Sequence, residues 1–220
     1  MHKFLQYAAV VSLLCLFGSN GVAAQTLTQC QNASSLTNLN STFEGQWYEA
    51  IRSPASEWSC VGLDIYSNSS GLYLNLTTPQ STAALNLNRT STYLLSPVNG
   101  TDSGSTVNAT SPADGYTYVT SSSVNVTIKV LQANSSSYAI LCGYSSNSNS
   151  SFGLVITRQR SVANATLTSY VGLVNSTYAG FNNLTTVDQG LACYQSSAAT
   201  HASALSLVFA VIYAVTKFIK

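Results

Sequence analysis

Histidine is the first shortage. His2 and His201 both fall in terminal segments that read as processing signals, so the body between them holds no imidazole. That removes the general base of Ser-His-Asp and Cys-His nucleophile activation, and with it the usual mixed histidine metal sites. Charge is scarce as well, at 7% of the chain. The body's cations are Arg52, Arg89, Lys129, Arg158 and Arg160, and its acids are Glu44, Glu49, Glu57, Asp64, Asp102, Asp114 and Asp188. Scattered singly, the cations cannot neutralise a row of phosphates, which argues against nucleic-acid binding and against a polybasic membrane patch. The acids show no spacing that marks a glycosidase couple, and no glycine-rich phosphate loop or dinucleotide fingerprint occurs. Composition therefore points away from an enzyme, and it implies neither a cofactor nor a metal.

What is present begins at the ends. Lys3 precedes an apolar run from Phe4 to Phe17, and small residues lead to Val22-Ala23-Ala24. This is the pattern of a signal peptide over residues 1–24, cleaved after Ala24. At the other end Ser196-Ser197-Ala198-Ala199 offers small residues, Thr200-His201 a short polar spacer, and Ala204 to Val215 an apolar tail. That order fits a GPI-attachment signal over 198–220, with Ser196 or Ser197 as the attachment residue. A single span is the alternative: the apolar run makes a helix of about 18 Å against a hydrocarbon core of about 30 Å, and Lys217 and Lys220 stand where a stop-transfer anchor carries its charge. Plain secretion is the third reading. The first two tie the domain to a cell surface, and all three make it extracellular.

Residues 25–197 suit one domain with a sizeable core. Once Cys15 leaves with the signal, Cys30, Cys60, Cys142 and Cys193 remain. In an oxidising compartment four cysteines read as two disulfides, with three possible pairings. N-x-S/T sequons run the length of the body, at Asn32, Asn40, Asn68, Asn75, Asn88, Asn99, Asn108, Asn125, Asn134, Asn149, Asn164, Asn175 and Asn183. Sugars there would supply the hydration that so few charged side chains cannot.

Between Phe43 and Ile156 short runs of Val, Ile, Leu, Tyr and Thr alternate with Ser, Asn, Gly and Pro clusters, the pattern of antiparallel strands. A glycosylated asparagine faces solvent, so within a strand it fixes the inward set. Asn75 outside puts Leu72, Leu74 and Leu76 inside; Asn125 does the same for Val126, Ile128 and Val130, and Asn88 for Leu85 and Leu87. Further on, Leu167, Val171, Val174 and Tyr178 recur at helical spacing and predict one amphipathic helix outside the sheet. Many even strands and one late helix suit an eight-stranded up-and-down antiparallel barrel with room for one small ligand.

Two motifs suggest a family. The first strand opens on Phe43-Glu44-Gly45-Gln46-Trp47-Tyr48, which resembles the G-x-W-Y motif of the lipocalins with its preceding aromatic. Phe152-Gly153-Leu154-Val155-Ile156-Thr157-Arg158 resembles the family's last strand, an apolar run ending in arginine. The resemblance implies that Arg158 stacks over Trp47 beside Gly45 and closes the barrel floor by a cation–π contact. The cysteine layout is similar to the apolipoprotein D and insect Lazarillo branch, which implies Cys30–Cys142 and Cys60–Cys193.

The expected function is extracellular binding and transport of a small hydrophobic molecule such as a fatty acid, sterol, retinoid or pigment. The expected pocket lining is Ile51, Leu63, Leu72, Leu74, Leu76, Leu85, Leu87, Val126, Ile128, Val130 and Leu154. Glu49, on the face of Trp47, is either a buried polar anchor or a residue turned out near the rim. The expected partners are that ligand and the membrane, through a lipid anchor or the short tail; no receptor protein is identified. The alternative is a surface recognition or adhesion protein that uses the barrel as a scaffold, and a third reading, an enzymatic lipocalin, requires a free thiol.

Overall fold

Alternation along each strand builds a sheet with one apolar face, and that face is buried by curling the sheet upon itself. The computed structural model describes residues 28–37, 39, 41–82, 84–98, 112–146, 151–178, 181, 183–190 and 193. The signal segment 1–24, the tail 198–220, Ser196, Ser197, and the sequons at Asn40, Asn99, Asn108 and Asn149 lie outside them. The strands are β1 (Gly45–Ser53), β2 (Gly62–Asn68), β3 (Gly71–Ser81), β4 (Ala84–Pro97), β5 (Tyr116–Val119), β6 (Asn125–Asn134), β7 (Tyr138–Ser145) and β8 (Ser151–Thr157). Each is antiparallel to the next, and β1 pairs with both β8 and β2, which closes an eight-stranded barrel. The short β9 (Thr185–Thr186) joins β1 at Ile51 and Arg52, beyond the stretch that pairs with β2.

Inside, Leu72 and Leu74 of β3, Val126 and Val130 of β6, and Phe152 and Ile156 of β8 meet in one cluster. Outside, α2 (Asn164–Thr177), which follows the five-residue α1 (Thr28–Asn32), packs Leu167, Tyr170, Val171 and Val174 on Ala50, Ile51, Ile140 and Val155. Asn164 and Asn175 are exposed, and their spacing is close to three helical turns, so both project from one side of α2. Asn32, Asn68, Asn125, Asn134 and Asn183 are also exposed, while Asn75 is half-buried and accepts a hydrogen bond from Thr92 Oγ1 at 2.7 Å.

Two disulfides fasten segments that leave the sheet. Cys30–Cys142 ties α1 to β7 and Cys60–Cys193 ties the β1–β2 loop to the end of the described chain. They close loops of 112 and 133 residues, worth about 4–5 kcal/mol each if the effect is chain entropy. Beside the first bridge, Lys129 Nζ donates to the carbonyls of Gln31 (2.8 Å) and Ala33 (2.7 Å), placing a cation on the carbonyl end of α1.

The floor lies at the start of β1. The chain leading into it sends Leu36, Leu39 and Phe43 against the interior cluster, and Leu36 N donates to Val130 O at 2.7 Å. Trp47 is fully buried; its indole donates to Phe43 O at 2.8 Å, and the Arg158 guanidinium lies 3.7 Å from its ring centroid. Arg158 also donates to four carbonyls: Ser135 from Nε, Gln46 from Nη1, and Thr42 and Glu44 from Nη2. Partial burial lowers its pKa from the ordinary arginine value. Gly45 has φ +99°, and a Cβ there would approach Arg158 Nη1 to 3.3 Å, so both backbone conformation and space favour glycine.

Lysine keeps the charge at this corner but loses the planar fork that reaches several carbonyls. Arg158→Lys is therefore expected to destabilise the fold by about 2–3 kcal/mol, and Gly45→Ala by about 1–3 kcal/mol, measured by urea unfolding.

Candidate functional site

The barrel interior holds two adjacent apolar chambers. The lower, nearer the floor, is lined by Leu39, Phe43, Leu63, Ile65, Leu72, Leu74, Leu95, Tyr116, Ile128, Val130 and Leu141. The upper is lined by Glu49, Arg52, Trp58, Val61, Leu63, Leu74, Leu76, Thr78, Tyr118, Val126, Ile128, Phe152 and Leu154. Leu63, Leu74 and Ile128 belong to both walls. The upper chamber has the greater room, about 690 Å³ of space between atoms with its opening to solvent included, against about 500 Å³ below.

Of the residues that alternation predicts for the pocket, Leu63, Leu72, Leu74, Leu76, Val126, Ile128, Val130 and Leu154 stand on these walls. Leu85 and Leu87 belong to β4, but their side chains lie outside the described residues. Ile51 requires a correction: it packs on the outside of the barrel with Ala50, Ile140, Val155 and Val174. The cause is a β-bulge. Glu49 pairs with Ile156 and Ile51 with Val155, so Ala50 is an extra residue on β1. One extra residue reverses the alternation beyond it. Ile51 turns out under α2, and Arg52 turns in beside Leu154.

The bulge also makes the interior's one described ion pair. Residues three apart on a regular strand point to opposite faces, but Glu49 and Arg52 both point inward, with Arg52 Nη2 donating to Glu49 Oε2 at 2.7 Å. They are 3% and 2% exposed, so the pair is removed from water. Burial raises the Glu49 pKa from its ordinary value, and the Arg52 charge and hydrogen bond only partly oppose this. Glu49 Oε1, Arg52 Nε and Arg52 Nη1 have no hydrogen-bond partner. Around the pair the backbone is braced by Gln189, whose Nε2 donates to the carbonyls of Glu49 (3.0 Å) and Val61 (2.7 Å).

The upper chamber also contains residues that alternation alone does not assign to it. Trp58 arrives on the β1–β2 loop, next to the Cys60–Cys193 bridge. Tyr118 meets Tyr93 with the rings tilted by 41° and 4.7 Å between centroids, and burial, reinforced by Tyr93, raises the Tyr118 pKa and keeps its phenol neutral. Phe152, which alternation puts on the face of Leu154, lies across Gly143 on the neighbouring strand and occupies the space a side chain there would need. Among the described residues no group of three His, Cys, Asp or Glu side chains is placed to hold a metal.

Removing one partner leaves a buried charge alone, so Glu49→Leu or Arg52→Leu is expected to cost about 3–5 kcal/mol, while the double replacement costs much less than the sum. Chemical denaturation of all four proteins checks this. Because the folded pKa of Glu49 is raised, the folded state holds its proton more tightly than the unfolded state. This group's contribution to stability is present at low pH and declines as pH rises from 4.5, its ordinary value, through the folded value. Glu49→Gln should flatten that part of the stability profile.

No protein-family model matches the sequence, and no curated protein matches it. Solved structures do match. Insecticyanin from the tobacco hornworm Manduca sexta aligns over 76% of this chain and 90% of its own at 16% identity, with a TM-score of 0.56. The cockroach allergen Per a 4 aligns over 73% and 94% at 19% identity, with a TM-score of 0.51. Lobster apocrustacyanin A1 aligns over 74% and 94% at 15% identity, with a TM-score of 0.50. These neighbours are lipocalins, and the closed eight-stranded barrel with its external helix is the lipocalin fold.

Proposed function

We propose that this chain is an extracellular carrier of a small hydrophobic molecule held in its barrel. The observation that carries the reading is the interior itself: two adjacent chambers whose walls are mostly leucine, isoleucine, valine and aromatic side chains, with few polar groups to bind anything else. Such walls favour ligands that lose apolar surface on entering, at roughly 25 cal/mol per Å². Both disulfides engage Cys30, Cys60, Cys142 and Cys193, which leaves none of the four as a thiol nucleophile and supports carriage over thiol chemistry. Within the lipocalins, the pairing Cys30–Cys142 and Cys60–Cys193 supports placement in the apolipoprotein D and Lazarillo branch.

The two bridges fit an oxidising compartment. The proposed mature protein is a glycoprotein released from its signal peptide after Ala24 and held at the cell surface by a GPI anchor at Ser196 or Ser197. Exposure of seven of the sequon asparagines, Asn32, Asn68, Asn125, Asn134, Asn164, Asn175 and Asn183, supports the glycan coat. Among the described residues no helix is long and apolar enough to cross a membrane.

Trp58 provides a native reporter, because it lines the upper chamber while Trp47 is sealed under Arg158. Titration of the secreted protein with a fluorescent lipid should give a saturable change in tryptophan emission that Trp58→Phe removes and an unlabelled lipid reverses. Absence of uptake for every apolar probe would sink the carrier reading and leave the scaffold reading standing. Treatment of expressing cells with a phosphatidylinositol-specific phospholipase C should release the protein; retention on treated cells would indicate a membrane span, and its presence in untreated medium, plain secretion.

A further inference from the structure

Resting on the carrier reading, we propose that the ligand is an amphiphile whose uncharged head, bearing both a hydrogen-bond donor and an acceptor as in an amide or alcohol, docks on the Glu49–Arg52 pair. Both side chains stand on the wall of the upper chamber, in otherwise largely apolar company. They satisfy each other through one hydrogen bond of 2.7 Å and no more. What remains is specific: one carboxylate oxygen, Glu49 Oε1, which accepts, and two guanidinium nitrogens, Arg52 Nε and Nη1, which donate. Buried polar atoms without partners are costly, and a ligand that supplies the missing partners recovers that cost on binding.

Charge selects among possible heads. As an ion pair, Glu49 and Arg52 sum to zero, and both residues are buried. A carboxylate would satisfy Arg52 but bring a second negative charge beside Glu49, and a primary ammonium would donate to Glu49 but bring a second cation beside Arg52. A head with an acceptor alone, such as an ester, leaves Glu49 Oε1 unpaired. An amide or a hydroxyl serves both sides: its N–H or O–H donates to Glu49 Oε1, and its oxygen accepts from Arg52. Leu63, Leu74, Leu76, Val126 and Ile128, on the same chamber wall, offer the attached chain apolar surface.

The test compares palmitamide, palmitate and methyl palmitate, which share one apolar chain, by displacement of a fluorescent lipid from the secreted full chain at neutral pH. Palmitamide is expected to bind roughly tenfold or more tightly than either of the others, the ratio one extra well-made hydrogen bond supplies. In Glu49→Leu/Arg52→Met, whose folding is checked by the near-ultraviolet signal of Trp47, the three affinities should converge. Equal affinities in the unaltered protein, or a preference for palmitate, overturn the head assignment while leaving the carrier reading intact. Persistence of the amide preference in the double variant also overturns it. Failure of all three to displace a bound probe overturns the head assignment while leaving the carrier reading intact; failure of every apolar probe to bind overturns both.

Discussion

Arg158 is the point on which the barrel's closure turns. Its guanidinium covers the fully buried Trp47 and gathers carbonyls from the chain entering β1 and from the β6–β7 turn. Three separate stretches are thus held at one end of the barrel by a single side chain whose fork cannot rearrange. The economy extends to the other cations. Lys129 secures α1 from outside, Arg160 lies 4.3 Å from the Tyr48 ring centroid and reaches Gln189, and Arg52 enters the interior. In a chain with so little charge, four of the body's five cations are committed to internal contacts, which leaves hydration of the surface to other groups.

Strand alternation was sufficient to orient β3 and β6, because each contains an uninterrupted apolar set and an asparagine that marks the outer face. Gly45, Trp47 and Arg158 were legible as a motif, and the helix as a periodicity. The Ala50 bulge was not, because nothing in Tyr48-Glu49-Ala50-Ile51-Arg52 distinguishes an extra residue from a regular one; only the pairing with β8 reveals it. Trp58 escaped for another reason. It lies on a loop with no period to read, and its place depends on the chain around Cys60, which is set by long-range contacts.

The bulge has a larger effect than a misplaced isoleucine suggests. By turning Ile51 outward it adds an aliphatic group to the seat of α2, and by turning Arg52 inward it gives Glu49 a partner at hydrogen-bond distance. A regular strand would have buried Glu49 against hydrocarbon with no counter-charge. Helix docking and the polarity of the cavity therefore share one irregularity, and a change that removed the extra residue would disturb both.

The Cys60–Cys193 bridge has a mechanical consequence. The bond crosslinks chain that follows β9 to the β1–β2 loop, so tension applied to the chain at Cys193 is divided there between β9 and that loop. That loop carries Trp58 on the wall of the upper chamber. A pull on that chain would thus load the wall of the cavity before it loaded the barrel's hydrogen-bonded seams, coupling force on the segment after β9 to the shape of the interior.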